Sequence, residues 1–294
     1  MAQQFTMKTL TWKPGSLEAR AAFNLKLRSF PWWLIGIALI AASMVITIST
    51  RESYSSSFNY IKNGLSITII TTICAFVVAL VLGLVTGLGR ISANPVYKNI
   101  ATLYVEIIRG IPMLVLIFFI AFVGVPALTN GIQALGVVLT DIGWVKIGSW
   151  LALAKNSEVP MNLRAVIALS VTYGAFLAEI FRAGIESVGR GQMEAARSQG
   201  MSYSQAMRYI ILPQAIRNVL PALGNDFISM LKDSSLVSVL AVRDITQVAR
   251  LHAGSTFQFK EAYLTLAVLY LTMTIFLSFV MKYFEKRIRK YEQR

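Results

Sequence analysis

Apolar runs of about 20 residues, the length a helix needs to cross roughly 30 Å of hydrocarbon, recur along this chain. They are Pro31 to Ser49, Leu65 to Leu88, Ile100 to Val125, Leu163 to Phe181, a more polar Ala215 to Val242, and Tyr263 to Tyr283. Six such runs in 294 residues leave little chain for a soluble core. The composition agrees: 55% of residues are hydrophobic and only 14% are charged, with a mean hydropathy of +0.60, whereas soluble domains carry about 25% charged residues. The expected class is an all-α integral membrane protein. A weaker apolar stretch, Gly131 to Leu153, is interrupted by Asp141 and Lys146. Residues 126–160 therefore read as an extracytoplasmic insertion, a hairpin lying on the surface. The first span follows a basic 30-residue tail and lacks a clean small-residue cleavage pattern, so it is expected to stay in the membrane.

A net charge of +14 would suggest nucleic acid in a soluble protein. With the N-terminal tail on the cytoplasmic side, however, 18 Lys and Arg fall on that face and 8 on the other, while Arg109 and Lys232 lie within spans. This asymmetry obeys the positive-inside rule and puts both termini in the cytoplasm. Nucleic-acid binding has no further support in any motif. The single Cys74 excludes an intrachain disulfide, and the single His252 makes a histidine metal site improbable.

The cytoplasmic loop between the fourth and fifth spans, residues 183–214, is the most informative segment. Met193 to Gln199 and Tyr203 to Ile211 are each suited to a short helix. Gly200 separates them where a left-handed residue is wanted, and Ser202 or Ser204 can cap the second. Pro213 is expected to end or redirect that helix. On composition alone this is an amphipathic connector resting on lipid headgroups. Its spacing is more specific: Glu194, Ala195 and Ala196, three residues, Gly200, nine residues, Ile210, one residue, then Leu212 and Pro213.

That spacing resembles the EAA signature of the ATPase-docking loop in bacterial ABC importer permeases. GLSIT at 64–68, YVEIIRGIP at 104–112, AEIFRAGI at 178–185 and LPALGNDFISMLKDSSL at 220–236 narrow the resemblance to the permeases that carry histidine, arginine, glutamine or glutamate. It covers residue 60 to the C-terminus, with residues 60–283 as the permease core and 284–294 as a basic cytoplasmic tail. The implied fold is a type I ABC importer permease, a five-helix core, here preceded by one additional N-terminal transmembrane helix at residues 31–49. The resemblance also implies partners: two ATPase subunits, a second permease subunit, and an extracytoplasmic amino-acid-binding protein. A homodimer is slightly preferred over pairing with a paralogue. No G-x-x-x-x-G-K-[ST] phosphate loop occurs in the chain. ATP and Mg therefore belong to the partner ATPase, this chain carries no cofactor, and it is read as a transport subunit of the bacterial inner membrane rather than an enzyme.

Charges inside a span cost free energy unless they face protein or water. Glu106 and Arg109 share a face three residues apart and are expected to neutralise each other, with Gly110 and Pro112 breaking the helix just above them. They either pin the third span to the fifth or line the substrate path. The fifth span places Asn225, Ser229 and Lys232 on one face and Asp226 and Asp233 on the next, followed by Ser234 and Ser235. This span is read as lining the substrate path. Tyr173, and Thr68 with Thr72 one turn apart, are further candidates for the path, although such threonines often bond their own backbone. Glu179 and Arg182 are either a simple ion pair or a cytoplasmic gate. Gly83 and Gly87 read as a helix-packing pair.

The function expected from these readings is ATP-driven uptake of a polar amino acid. An ion-coupled secondary transporter is the alternative, but no internal repeat supports it. A scaffold without transport has no use for four acids and two bases within spans. No hydrolase triad or metal-ligand motif points to an enzyme. The excess of acids within the spans mildly favours a cationic or zwitterionic substrate.

Overall fold

A computed structural model describes residues 32–292, all of whose regular structure is helical. The tail at residues 1–30 lies outside the described residues. The chain divides into two units, residues 1–47 and 48–294. In the first, helix α1 (Trp32–Thr50) is apolar on every side, as a lipid-surrounded span must be.

The second unit holds the remaining helices. Helix α2 (Glu52–Ile61) is polar, and a short 3-10 turn joins it to α3 (Leu65–Arg90). After α4 (Pro95–Gly110) the backbone is extended at Ile111 and Pro112, and helix resumes at α5 (Met113–Phe119). The break falls where it is expected: a residue preceding proline is pushed out of the helical region. Beyond it the sequence expectation fails. Instead of stopping at Val125, the helix passes through a π turn at Ile120–Gly124 into α6 (Val125–Asp141). Pro126 directly follows that π turn, whose wider bonding accommodates its missing N–H within the continuous helix.

Helix α7 (Val145–Ala152) folds back on α6, and α8 (Met161–Glu186) returns across the core. The elbow comprises α9 (Arg190–Ser198) and α10 (Tyr203–Ala206). A second π turn, Met207–Ile211, leads into α11 (Leu212–Asp233), then a 3-10 segment Ser234–Leu240, α12 (Ile245–Thr256) and α13 (Phe259–Glu292). Four helical stretches, 52–90, 113–141, 161–186 and 259–287, are long and apolar enough to cross a bilayer.

Helix α8 forms the centre. It buries Leu169, Tyr173, Leu177 and Phe181 among Ala75, Val105, Ile117 and Met230 of its neighbours. Gly83 and Gly87 let α3 lie directly against it: a Cβ on Gly87 would stand 2.9 Å from the Ala178 carbonyl oxygen. Tyr104 ties α4 to the same helix by donating to the Val171 carbonyl at 2.5 Å.

Candidate functional site

The elbow is built from local rules. Helix α9 ends in a Schellman turn: Met201 N donates to Ala196 O at 3.2 Å and Gly200 N to Arg197 O at 3.0 Å. Gly200 holds φ +82°, which a side-chain-bearing residue adopts only at a cost. Ser202 then caps α10 reciprocally, its Oγ accepting from Gln205 N while Gln205 Oε1 accepts from Ser202 N at 2.8 Å.

Pro213 departs from expectation. It does not end the helix but sits in the first turn of α11, beyond a π turn, and Gln214 Nε2 donates to the Ile210 carbonyl at 2.9 Å. The elbow therefore runs into α11 without a flexible joint. Its inner face buries Ala196, Ala206 and Ile211, with Leu212 half-buried, while Glu194, Ala195, Gly200 and Pro213 are exposed.

The second cluster lies where α8 meets α11. Tyr173 is 3% exposed and donates to Asp233 Oδ2 at 2.6 Å. Asp226 and Ser229 are half-buried on the same helix as Asp233, and Asn225 and Lys232 are exposed. Among the described residues Lys232 has no ion-pair partner.

Toward the end of α8 nearer the elbow, the Glu179 carboxylate receives Arg90 and Arg182 and stands 4.0 Å from Arg109. Arg182 also reaches Glu186 at 2.5 Å. Glu106 does not neutralise Arg109, since it lies 3.6 Å from Arg90, while the Arg109 guanidinium sits over the Phe176 ring at 5.9 Å. The i,i+3 rule fails here because side chains on α3 and α8 offer better-placed partners. Arg90 and Phe176 were not singled out from the sequence; nothing in their local spacing marks them.

Three further candidates turn inward. Thr68 is fully buried, donates to Gly64 O at 3.2 Å and accepts from Ile245 N at 3.1 Å, so it anchors the start of α12. Thr72 is 1% exposed and bonds Thr68 O at 2.7 Å. Ser234 is buried and bonds Leu231 O, whereas Ser235 stays half-buried. The hydroxyls of Thr68, Thr72 and Ser234 are thus each bonded to backbone groups. Among the described residues no cluster of ligands suited to a metal ion occurs.

Residues 79–290 match the family model described as "Binding-protein-dependent transport system inner membrane component". The chain is 37% identical over 237 residues to "Probable glutamine ABC transporter permease protein GlnM" of Bacillus subtilis (strain 168), covering 80% of this chain and 95% of that protein. It is 35% identical to "Probable amino-acid permease protein YxeN" of the same organism, covering 81% and 96%. A solved structure described as "Crystal structure of an amino acid ABC transporter with histidines" superposes with a TM-score of 0.62 at 37% identity, covering 80% of this chain and 95% of that one. The fold is that of a type I ABC importer permease, and the chain belongs to the family of binding-protein-dependent transport system inner membrane components.

Proposed function

We propose that this chain is the membrane subunit of an importer that moves a polar amino acid into the cytoplasm, with ATP hydrolysed on a separate pair of ATPase subunits. One observation carries the reading: the second arm of the elbow runs from Tyr203 in unbroken helix into α11, the helix that bears Asn225, Asp226, Ser229, Lys232 and Asp233. A push on α9 reaches the polar face of that helix through the tight Gly200 turn, which is fixed by its Schellman bonds and the Ser202 cap, and then through continuous helix. The ion-coupled alternative leaves the elbow without a task.

The polar passage runs between α4, α8 and α11, lined by Arg109, Glu106, Tyr173 and the α11 polar face. Glu179 with Arg90 and Arg182 closes its cytoplasmic end. Glu106 and Arg109 keep 66% and 43% of their side chains exposed on the isolated chain. Charged groups at that depth need protein or water beside them, which supports a second permease subunit facing α4; a second copy of this chain is the simplest occupant. A soluble receptor delivers the substrate from outside. The termini face the cytoplasm, on the charge asymmetry given above.

The test is reconstitution with candidate ATPase and receptor subunits, reading receptor-stimulated ATP hydrolysis and uptake across amino acids. Glu194→Arg and Gly200→Pro should abolish stimulated hydrolysis while the complex still assembles. Intact stimulation in both variants would remove the docking role of the elbow.

A further inference from the structure

Helices α6 and α7 form a tight hairpin at the extracytoplasmic end. A Cβ on Gly136 would stand 2.7 Å from Gly148 O, and one on Gly148 would stand 2.7 Å from Gly136 O, so the two backbones touch. Gly143, at φ +100°, makes the turn. The base is clamped by Arg164, in the first turn of α8 and 6% exposed. Its Nη1 donates to Ala121 O at 2.8 Å, its Nη2 to Asn156 O at 2.7 Å and Asn156 Oδ1 at 2.8 Å, and its Nε to Val159 O at 3.1 Å.

This clamp fixes the level of the helix. Ala121 stands beside the outer end of α8, yet the helix continues to Asp141, about 30 Å further at 1.5 Å per residue. Either those turns rise into water or they bend over the bilayer. Two observations decide. First, the hairpin is apolar outward: Ile142, Trp144, Trp150 and Leu153 are 68%, 61%, 74% and 67% exposed, and Asp141 and Lys146 are the only charged residues from 125 to 153. Second, Leu128, Ile132 and Leu135 of α6 share an apolar cavity of about 580 Å³ with Ile167 and Val171, which lie one to two turns deeper along α8 than Arg164. A helix projecting outward could not share a cavity with residues at that depth.

We infer that the α6–α7 hairpin is embedded in the outer leaflet, with Trp144 and Trp150 in the headgroup region and lipid acyl chains filling the cavity between α6 and α8. The surface it adds is continuous with the lipid-facing Val115, Phe118 and Phe122 of the same helical run. Tryptophan is the residue that favours this interface, and an apolar face without charge gains by burial in lipid rather than water.

The experiment uses the assembled transporter with cysteine-free partner subunits, in vesicles of phosphatidylcholine and phosphatidylglycerol. On a Cys74→Ser background, an environment-sensitive fluorophore is placed by Trp150→Cys or Ile132→Cys. Val85→Cys, on the exposed flank of α3, is the membrane reference, and Lys155→Cys is the water reference. At both test sites, emission should be blue-shifted and quenched by acyl-chain bromines about as strongly as at Val85. Aqueous iodide should quench severalfold less than at Lys155. Iodide quenching without bromine quenching would put the hairpin in water and overturn the inference. Protection from both quenchers would mean that protein, a second copy or the receptor, covers it, and would overturn it equally. ATP hydrolysis in the same vesicles reports assembly, and Leu153→Cys replaces Trp150→Cys if that variant fails to assemble.

Discussion

The Tyr173 hydroxyl donates a 2.6 Å hydrogen bond to Asp233 Oδ2, joining the middle of α8 to the last residue of α11. The central helix is thus tied to the helix into which the elbow runs. A bond so placed holds one arrangement of the passage and must yield or re-form when α11 moves.

Removing it is the first test. Tyr173→Phe keeps the ring and its packing but leaves the half-buried carboxylate short of a donor, a loss of about 1 kcal/mol. The variant should assemble normally, melt at a lower temperature and take up substrate more slowly. Unchanged uptake would reduce the bond to a packing detail.

Glu179 faces three guanidiniums, two in direct contact and Arg109 at 4.0 Å. Glu179→Gln should therefore destabilise the complex by several kcal/mol, because partly buried cations lose their counter-charge. Pairing it with Arg90→Met should recover part of that loss. A double-mutant cycle on thermal stability reads the coupling, and additive effects would show that the two side chains do not interact. If the cluster closes the cytoplasmic end of the passage, Glu179→Gln should also raise ATP hydrolysis in the absence of receptor.

At Gly200 an added Cβ would meet nothing within 4 Å, so a substitution there acts through the backbone alone. Gly200→Ala should cost about 1 to 2 kcal/mol for the left-handed conformation, and Gly200→Asn less, since asparagine tolerates that region. Coupled hydrolysis should rank Gly, then Asn, then Ala. The same loss in both variants would point to a need for open space rather than for a left-handed turn.

The elbow was legible in the sequence because every part of it follows a local rule: a glycine at the left-handed position, a serine cap, a fixed spacing. What escaped was set by distance. The third span reads as bounded at Val125, before Pro126, and Pro213 is expected to end or redirect its helix, yet each proline stands in the first turn after a π turn that absorbs its missing N–H, and packing on either side keeps the axis continuous. The Glu106 and Arg109 spacing suggests a local pair, but the partners come from Arg90 and Glu179 on neighbouring helices. Thr68 appears as a polar group in a span, and only the tertiary contact shows it holding the α12 backbone.

Asp244 gives the last prediction. It lies in the connection between α11 and α13, where it caps α12 by accepting from Gln247 N at 2.9 Å. Among the described residues its other oxygen has no hydrogen-bond partner, and the residue is 1% exposed. Burial pushes the carboxyl up from 3.8 to about 6. The folded protein therefore holds the proton more tightly than the unfolded chain. The resulting stability is fully present below about pH 4 and is lost as the pH rises through about 6, a swing of about 3 kcal/mol. Asp244→Asn keeps the capping oxygen without the charge, so it should flatten the pH dependence of thermal unfolding across that window and be the more stable protein at pH 7. Asp244→Ala flattens the same slope but loses the cap, about 1 kcal/mol, and should fall below Asp244→Asn at every pH. Unfolding temperatures of the three proteins from pH 4.5 to 8 decide it: parallel curves for the parent chain and Asp244→Asn would mean that this carboxyl does not titrate there.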